Sequence, residues 1–131
     1  GMWPQNLSVD TSGSVVVASA PYNLMESAGG QVVLFSPDRK PLLTLKEAAG
    51  QPFAYPVAAV DPAGNILVAD TLRCVVLIFD REFQFQSEFG YRGLAPGKLI
   101  GPRDLESDGV SRVFVTQLRK RGVSVFNISG N

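Results

Sequence analysis

Proton transfer and ion binding in this chain fall to carboxylates, lysines, tyrosines and one thiol, because its 131 residues include no histidine. That absence removes the usual general base of serine and cysteine hydrolases and the commonest zinc ligand. Cys74 is the single cysteine, so no internal disulfide can form, which fits a reducing compartment. It opens the apolar run CVVLIFD and reads as a small packed side chain, with no imidazole to activate it as a nucleophile. Asp61 and Asp70 are the tempting acid pair. Asp61 precedes Gly64 and Asn65, a composition in which the carboxylate accepts backbone N–H groups and builds a turn, and Asp70 has the same use at a strand end. Asp104, Glu106 and Asp108 alternate and so share one strand face, yet a calcium chelate takes about six to eight oxygens, so a solvated edge fits them better. The glycines of GYRGLAPGKLIG (90–101) lead into no Gly-Lys-Ser/Thr and no helix, and read as a flexible connection, not a phosphate loop. No catalytic residue, metal ligand or cofactor is assigned.

The elements that must position these groups come from a repeat. DPAGNILVAD begins at Asp61, DTSGSVVVAS at Asp10, and a blurred version, SDGVSRVFVT, at Ser107. Gly13 aligns with Gly64, Val15 with Ile66, Val17 with Val68 and Ala18 with Ala69. Alternating apolar positions precede each turn, Leu7 and Val9 in one copy and Val57 and Ala59 in the next, as a half-buried strand requires. A third strand follows in QVVLFS (31–36), CVVLIFD (74–80) and GVSVFN (122–127), each β-branched and carrying an aromatic at Phe35, Phe79 or Phe126. PLLTL (41–45) and FQFQSEF (83–89) supply fourth strands, the latter alternating Phe and Gln so that one face is apolar; the third unit reaches Asn131 before any fourth strand. No stretch holds helical spacing, and KEAAGQPF breaks at Gly50 and Pro52. Repeats of about 40 to 50 residues with four short antiparallel strands are the signature of β-propeller blades. The expected fold is all-β, with blades at about 4–50, 54–100 and 101–131, and Gly1 set aside as an expression scar.

Residues 56–102, PVAAVDPAGNILVADTLRCVVLIFDREFQFQSEFGYRGLAPGKLIGP, resemble NHL repeats, with their Pro, Val-Asp, Gly, Val-Ala-Asp, Val-Phe-Asp, Phe-Gly, Gly, Gly, Pro progression. The first unit departs by a longer hairpin around PYNLMESAGG (21–30) and the third is divergent. Where the family often has Asn and Arg between second and third strands, this chain has Arg73 and Val75, then Lys120 and Gly122, so that pair's role is not carried over. The resemblance implies a six-bladed propeller in full-length members, used mainly to bind protein or RNA, often at the C-terminal end of tripartite-motif ubiquitin ligases. Some relatives are metal-dependent lyases that use histidine. Three blades are half of six. The arc is therefore expected to belong to a longer chain, the preferred reading, or to be completed by a second copy in a homodimer.

Twelve Lys plus Arg balance twelve Asp plus Glu, so any electrostatic role rests on distribution. Propeller topology gathers the second-to-third-strand turns and the blade connections on one rim. There it places Arg73, Arg92, Lys98, Arg103 and the run Arg119, Lys120, Arg121 against Glu26, Glu47 and Asp70. The opposite rim, with Asp10, Asp38, Asp61, Asp80, Glu82, Asp108, Arg39, Lys40, Arg81 and Arg112, is mixed. QLRKRG reads first as a solvated hairpin turn; the functional alternative is salt-sensitive RNA binding through the basic rim, with Tyr91 and Tyr22 available to stack on bases. Leu24 and Met25, at the tip of the longer hairpin, would offer an adaptable apolar contact to a protein. The leading expectation is a non-enzymatic protein-binding module, with RNA binding second and a fragment of a metal-dependent lyase or lactonase third. Apolar runs such as Val75 to Phe79 are too short to span a bilayer, so no membrane association and a cytoplasmic location are expected.

Overall fold

β-Branched and aromatic residues dominate the apolar runs, and each run contributes a strand. The computed structural model describes all residues except 1, 22–28, 62, 96, 109–111, 119–121 and 128–131. A first antiparallel sheet holds β1 (Met2–Val9), β2 (Val15–Pro21), β3 (Gln31–Phe35) and β4 (Pro41–Leu45), in that order. A two-residue ribbon, β5 (Glu47–Ala48) and β6 (Gln51–Pro52), bridges to the second sheet. That sheet holds β7 (Pro56–Val60), β8 (Ile66–Asp70), β9 (Val75–Phe79) and β10 (Phe85–Gly90), again as a meander. The third holds β11 (Pro102–Ser107), β12 (Arg112–Gln117) and β13 (Val123–Asn127), three strands among the described residues. Among those residues no helix is long and apolar enough to cross a membrane.

Two apolar seams join the sheets. Val16, Ala18, Val32 and Leu34 of the first sheet meet Ala58, Ile66, Val68, Val75, Leu77 and Phe79 of the second. The opposite face of the second sheet, with Ala59, Leu67, Val76 and Phe89, meets Leu105, Val113, Val115 and Phe126 of the third. Each fully buried Val, Leu or Ile here contributes about 1.5–3 kcal/mol. Alternation thus serves two neighbours at once in the central sheet, whose strands β8 and β9 are buried on both faces. Polar clips add direction: the Asn6 amide donates to the Ala58 carbonyl at 2.7 Å and its oxygen accepts the Ala58 N–H at 2.9 Å.

Five turns on one rim share one device. The N–H of Asp10, Ser36, Asp61, Asp80 and Asp108 each donates to the carbonyl four residues on. In return, each side-chain oxygen accepts that residue's N–H, at 2.8–3.1 Å. Asp61, nearly buried, also accepts the Ala63 N–H and the Asn65 amide. The turn role expected of Asp61 is therefore observed, and the same role extends to Ser36 and Asp80.

The fourth strand of the second sheet departs from the FQFQSEF alternation. Phe83 sits in a left-handed turn position (φ 59°), and a register shift between Phe85 and Ser87 reverses which face the next residues present. Phe83 consequently packs in the first seam and Phe89 in the second, while Phe85 is left 54% exposed. A single apolar face on this strand does not form.

Candidate functional site

The rim opposite the Asx turns is organised by Asp70. This carboxylate is fully buried at the end of β8 and accepts the Ala54 N–H at 3.0 Å and the Arg73 N–H at 2.9 Å. Arg73 Nε lies 3.4 Å from Asp70 Oδ2, and Arg73 Nη1 donates to Gln51 Oε1 at 2.9 Å. One acidic side chain therefore ties the β8–β9 turn to the segment ahead of β7, and Arg73 reaches on to the β5–β6 ribbon. Asp70 does more than finish its strand. The Thr71 hydroxyl lies 2.9 Å from the Tyr55 carbonyl and 2.8 Å from that of Pro102, sharing its proton between two blade connections. Cys74 is buried in the second seam in a left-handed conformation (φ 56°), and its sulfur accepts the Gly101 N–H at 3.2 Å. That is the packed role its sequence context indicates.

Between the ribbon and the second blade's outer strands lies a groove of about 650 Å³. Val75 and Leu77 form its buried floor, Ala48, Ala49 and Gln51 one wall, and Phe85, Glu88 and Tyr91 the other, with Arg73 at one end. Local backbone explains both walls. Ala49 and Gly50 have φ of 53° and 75°, the pair of positive values a tight two-residue hairpin needs, so the ribbon turns back over the groove. The shift at Phe85 and Ser87 swings the Phe85 ring outward, where it stays edge-on to Phe79 with centroids 6.0 Å apart. Tyr91 is half-exposed; its hydroxyl donates to Glu88 Oε1 at 3.0 Å, and the Lys98 ammonium sits 5.4 Å from its ring centroid. The hydrogen bond to Glu88 leads the effects raising the Tyr91 hydroxyl above its ordinary pKa, followed by desolvation and the Glu88 charge.

The sequence-predicted cations divide. Arg73 and Tyr91 line the groove, and Lys98 stacks beside it. Arg92 folds onto the β8–β9 turn, its Nη2 donating to the Leu72 carbonyl at 2.9 Å. Arg103 is exposed on β11 at a register shift, away from the groove. Arg119, Lys120, Arg121, Leu24, Met25, Tyr22 and Glu26 lie outside the described residues. The groove's apolar walls, Phe85, Ala48 and Ala49, carried no functional reading in the sequence; a bulge leaves no local signature there, and AAGQ offers only a weak turn signal.

A second, smaller crevice of about 270 Å³ runs between the Asx turns and includes Asp10, Asp61, Arg81 and Glu106. Arg81 Nη2 lies 2.8 Å from Asp10 Oδ2. Desolvation pushes the Asp10 carboxyl up, but hydrogen bonds from Ser12 and Ser14 and the Arg81 charge outweigh it and hold it below the ordinary carboxylate value. Asp61 spends both oxygens on its own turn, and Asp10 spends Oδ1 on its turn and Oδ2 on Arg81. Among the described residues, no three His, Cys, Asp or Glu side chains are grouped as metal ligands. Asp104 and Glu106 stand exposed on β11, and Asp108 pairs with Arg112 at 3.0 Å.

No protein-family model and no curated protein matches the sequence. Solved structures do resemble it. A calcium-binding protein, regucalcin, from Agrobacterium tumefaciens strain C58 superposes with TM-score 0.71 at 12% identity, over 98% of this chain and 43% of that one. A chain of a nidogen/laminin complex superposes with TM-score 0.67 at 14% identity, over 98% of this chain and 45% of that one. This chain thus spans less than half the length of either. Likeness at such identity establishes the architecture, which is all-β and built of β-propeller blades.

Proposed function

We propose that this arc is a non-enzymatic interaction module whose groove, between ribbon β5–β6 and strands β9–β10, takes an extended protein segment carrying a bulky apolar side chain. The observation that carries the reading is the groove's make-up: a buried aliphatic floor flanked by two half-exposed aromatics, Phe85 at 54% and Tyr91 at 50%. Aromatic anchors around a desolvated floor are where binding energy concentrates in protein interfaces. The similarity of residues 56–102 to NHL repeats, whose members bind protein or RNA, supports the same class of role.

Three of the cations in the RNA alternative already have internal contacts, which supports protein over RNA at this groove. Arg73 is held by Asp70 and Gln51, Arg92 by the Leu72 carbonyl, and Lys98 lies against Tyr91. These internal contacts leave each group fewer N–H donors, or less freedom of movement, for a phosphate. A lyase or lactonase fragment is the remoter alternative; the calcium-binding neighbour keeps it in view, and the carboxylates' turn bonds weigh against it.

Selection of a random peptide library against the protein tests the reading. Peptides with an aromatic or large aliphatic residue are expected to enrich and to lose at least about tenfold in affinity against Phe85→Asp, a loss of about 1.4 kcal/mol. Equal binding to Phe85→Asp would refute the groove. A single-stranded RNA bound by the wild type, with affinity falling steeply between about 50 and 200 mM salt, would transfer the reading to RNA.

A further inference from the structure

The internal repeat makes the two outer faces of the arc interpretable. Val15 and Val17 occupy the positions that Ile66 and Val68 occupy one repeat later, counted from the turn aspartates Asp10 and Asp61. Ile66 and Val68 are 1% and 0% exposed because the first blade's Val16, Ala18, Val32 and Leu34 cover them. Among the described residues their counterparts have no such cover. Val15, Val17, Val33 and Phe35 are only partly buried, and Leu7 and Val9 on the same face are 62% and 56% exposed. The pairing register, Leu7 to Val17 to Val33 and Val9 to Val15 to Phe35, sets them as one continuous surface without a charge.

At the other end, Phe114 and Thr116 stand where the second blade has Leu67 and Ala69, both fully buried under the third blade. Phe114 pairs with Val125 and Thr116 with Val123, so these share the outer face; Val123 and Val125 are 54% and 50% exposed. The arc therefore ends in one surface of each of the two kinds that already pack together twice inside it.

We propose that a second copy of this chain covers both surfaces, the third blade of each copy packing on the first blade of the other about a two-fold axis. In such a dimer each residue's contact is returned by its mate, and both apolar faces are covered in one step. Lengths agree: the chain covers 43% and 45% of its two propeller neighbours, so a ring of their size takes two such arcs. One feature works against tight closure. Asp104 and Glu106 stand on β11 where the second blade carries Val57 and Ala59, placing two carboxylates on the innermost strand of the joining face. Association should therefore be weaker than the internal seams and improve when the acids are removed. The proposal concerns faces separate from the groove and is independent of it.

Sedimentation equilibrium at about 10–100 µM tests it, because a reversible dimer shifts with concentration. The expected mass is twice 14.1 kDa. Val17→Glu should give monomer with an unchanged far-ultraviolet circular dichroism spectrum. Asp104→Val with Glu106→Ala, the residues the second blade uses, should tighten the dimer about tenfold or more. A wild-type monomer throughout that range, open-ended growth in place of a dimer, or a dimer indifferent to Val17→Glu would overturn the proposal.

Discussion

Replacing Asp70 by Asn isolates the side chain on which the groove's end depends. The substitution keeps the shape but turns one acceptor into an N–H₂ group. Both oxygens face donors, the Ala54 N–H and the Arg73 N–H, so whichever way the amide sits, a buried donor meets a donor. Leaving one buried group unsatisfied costs about 1–3 kcal/mol, and hydrogen bonds to a charged acceptor are worth about 1.5–3 kcal/mol, against about 1 for neutral ones. The ion pair with Arg73, whose side chain is 24% exposed, is lost as well. Together these give a destabilisation of about 3 kcal/mol, or about 10 °C in Tm for a chain of this size. Urea unfolding followed by circular dichroism measures it as a lower midpoint at constant slope. Arg73→Ala should add little once Asp70→Asn is in place, since the two side chains share one interaction. A destabilisation under about 0.5 kcal/mol would show that Asp70 does not tie the rim together.

Gly90→Ala places a Cβ 2.7 Å from Leu99 Cδ1 and 3.0 Å from the Cys74 carbonyl at φ 114°, so unfolding should show a loss of about 2–3 kcal/mol. Because Asp10 titrates below its unfolded-chain value, its contribution is complete above the ordinary carboxylate range and is lost as pH falls through the lowered value. Urea midpoints measured from about pH 5 down to about pH 2.5 should therefore fall less steeply for Asp10→Asn than for the wild type, and parallel profiles would refute the assignment.

Much of this architecture was legible because each level of the sequence repeats the same instruction. Asp10 and Asp61 start turns, Gly13 and Gly64 take the positive φ those turns demand, and β-branched residues alternate on either side. The candidate groove was not legible, for two physical reasons. Side-chain direction in a strand has a period of two, so the shift at Phe85 and Ser87 inverts everything beyond it without any residue type announcing it. Arg73 and Asp70 are placed on one rim by the sequence, but their pairing is not; a tight turn with Cys74 at φ 56° folds residue 73 back onto residue 70. Arg92 is a similar case, since its partner is a carbonyl in the β8–β9 turn, remote from it in the chain.

The two rims use their charge differently from what a count of residues implies. On one rim, four carboxylates and the Ser36 hydroxyl accept backbone N–H groups and fix five turns; on the other, Asp70, Arg73 and Arg92 weld the blade connections together. Among the described residues, no buried side-chain nitrogen or oxygen lacks a hydrogen-bond partner. Buried polar groups partnered in this way stabilise a scaffold, because drawing a bonded group away into a ligand contact strands its former partner at the cost of an unmade bond. Both proposed contacts use surface that costs nothing internally to cover. That surface is apolar here: Phe85 and Tyr91 over the Val75 and Leu77 floor, and the Leu7, Val9 and Val17 face at the end of the arc. Covering such surface releases water and is driven by area, so both proposed contacts should weaken on cooling and vary little with salt, opposite to the behaviour of a phosphate-binding rim.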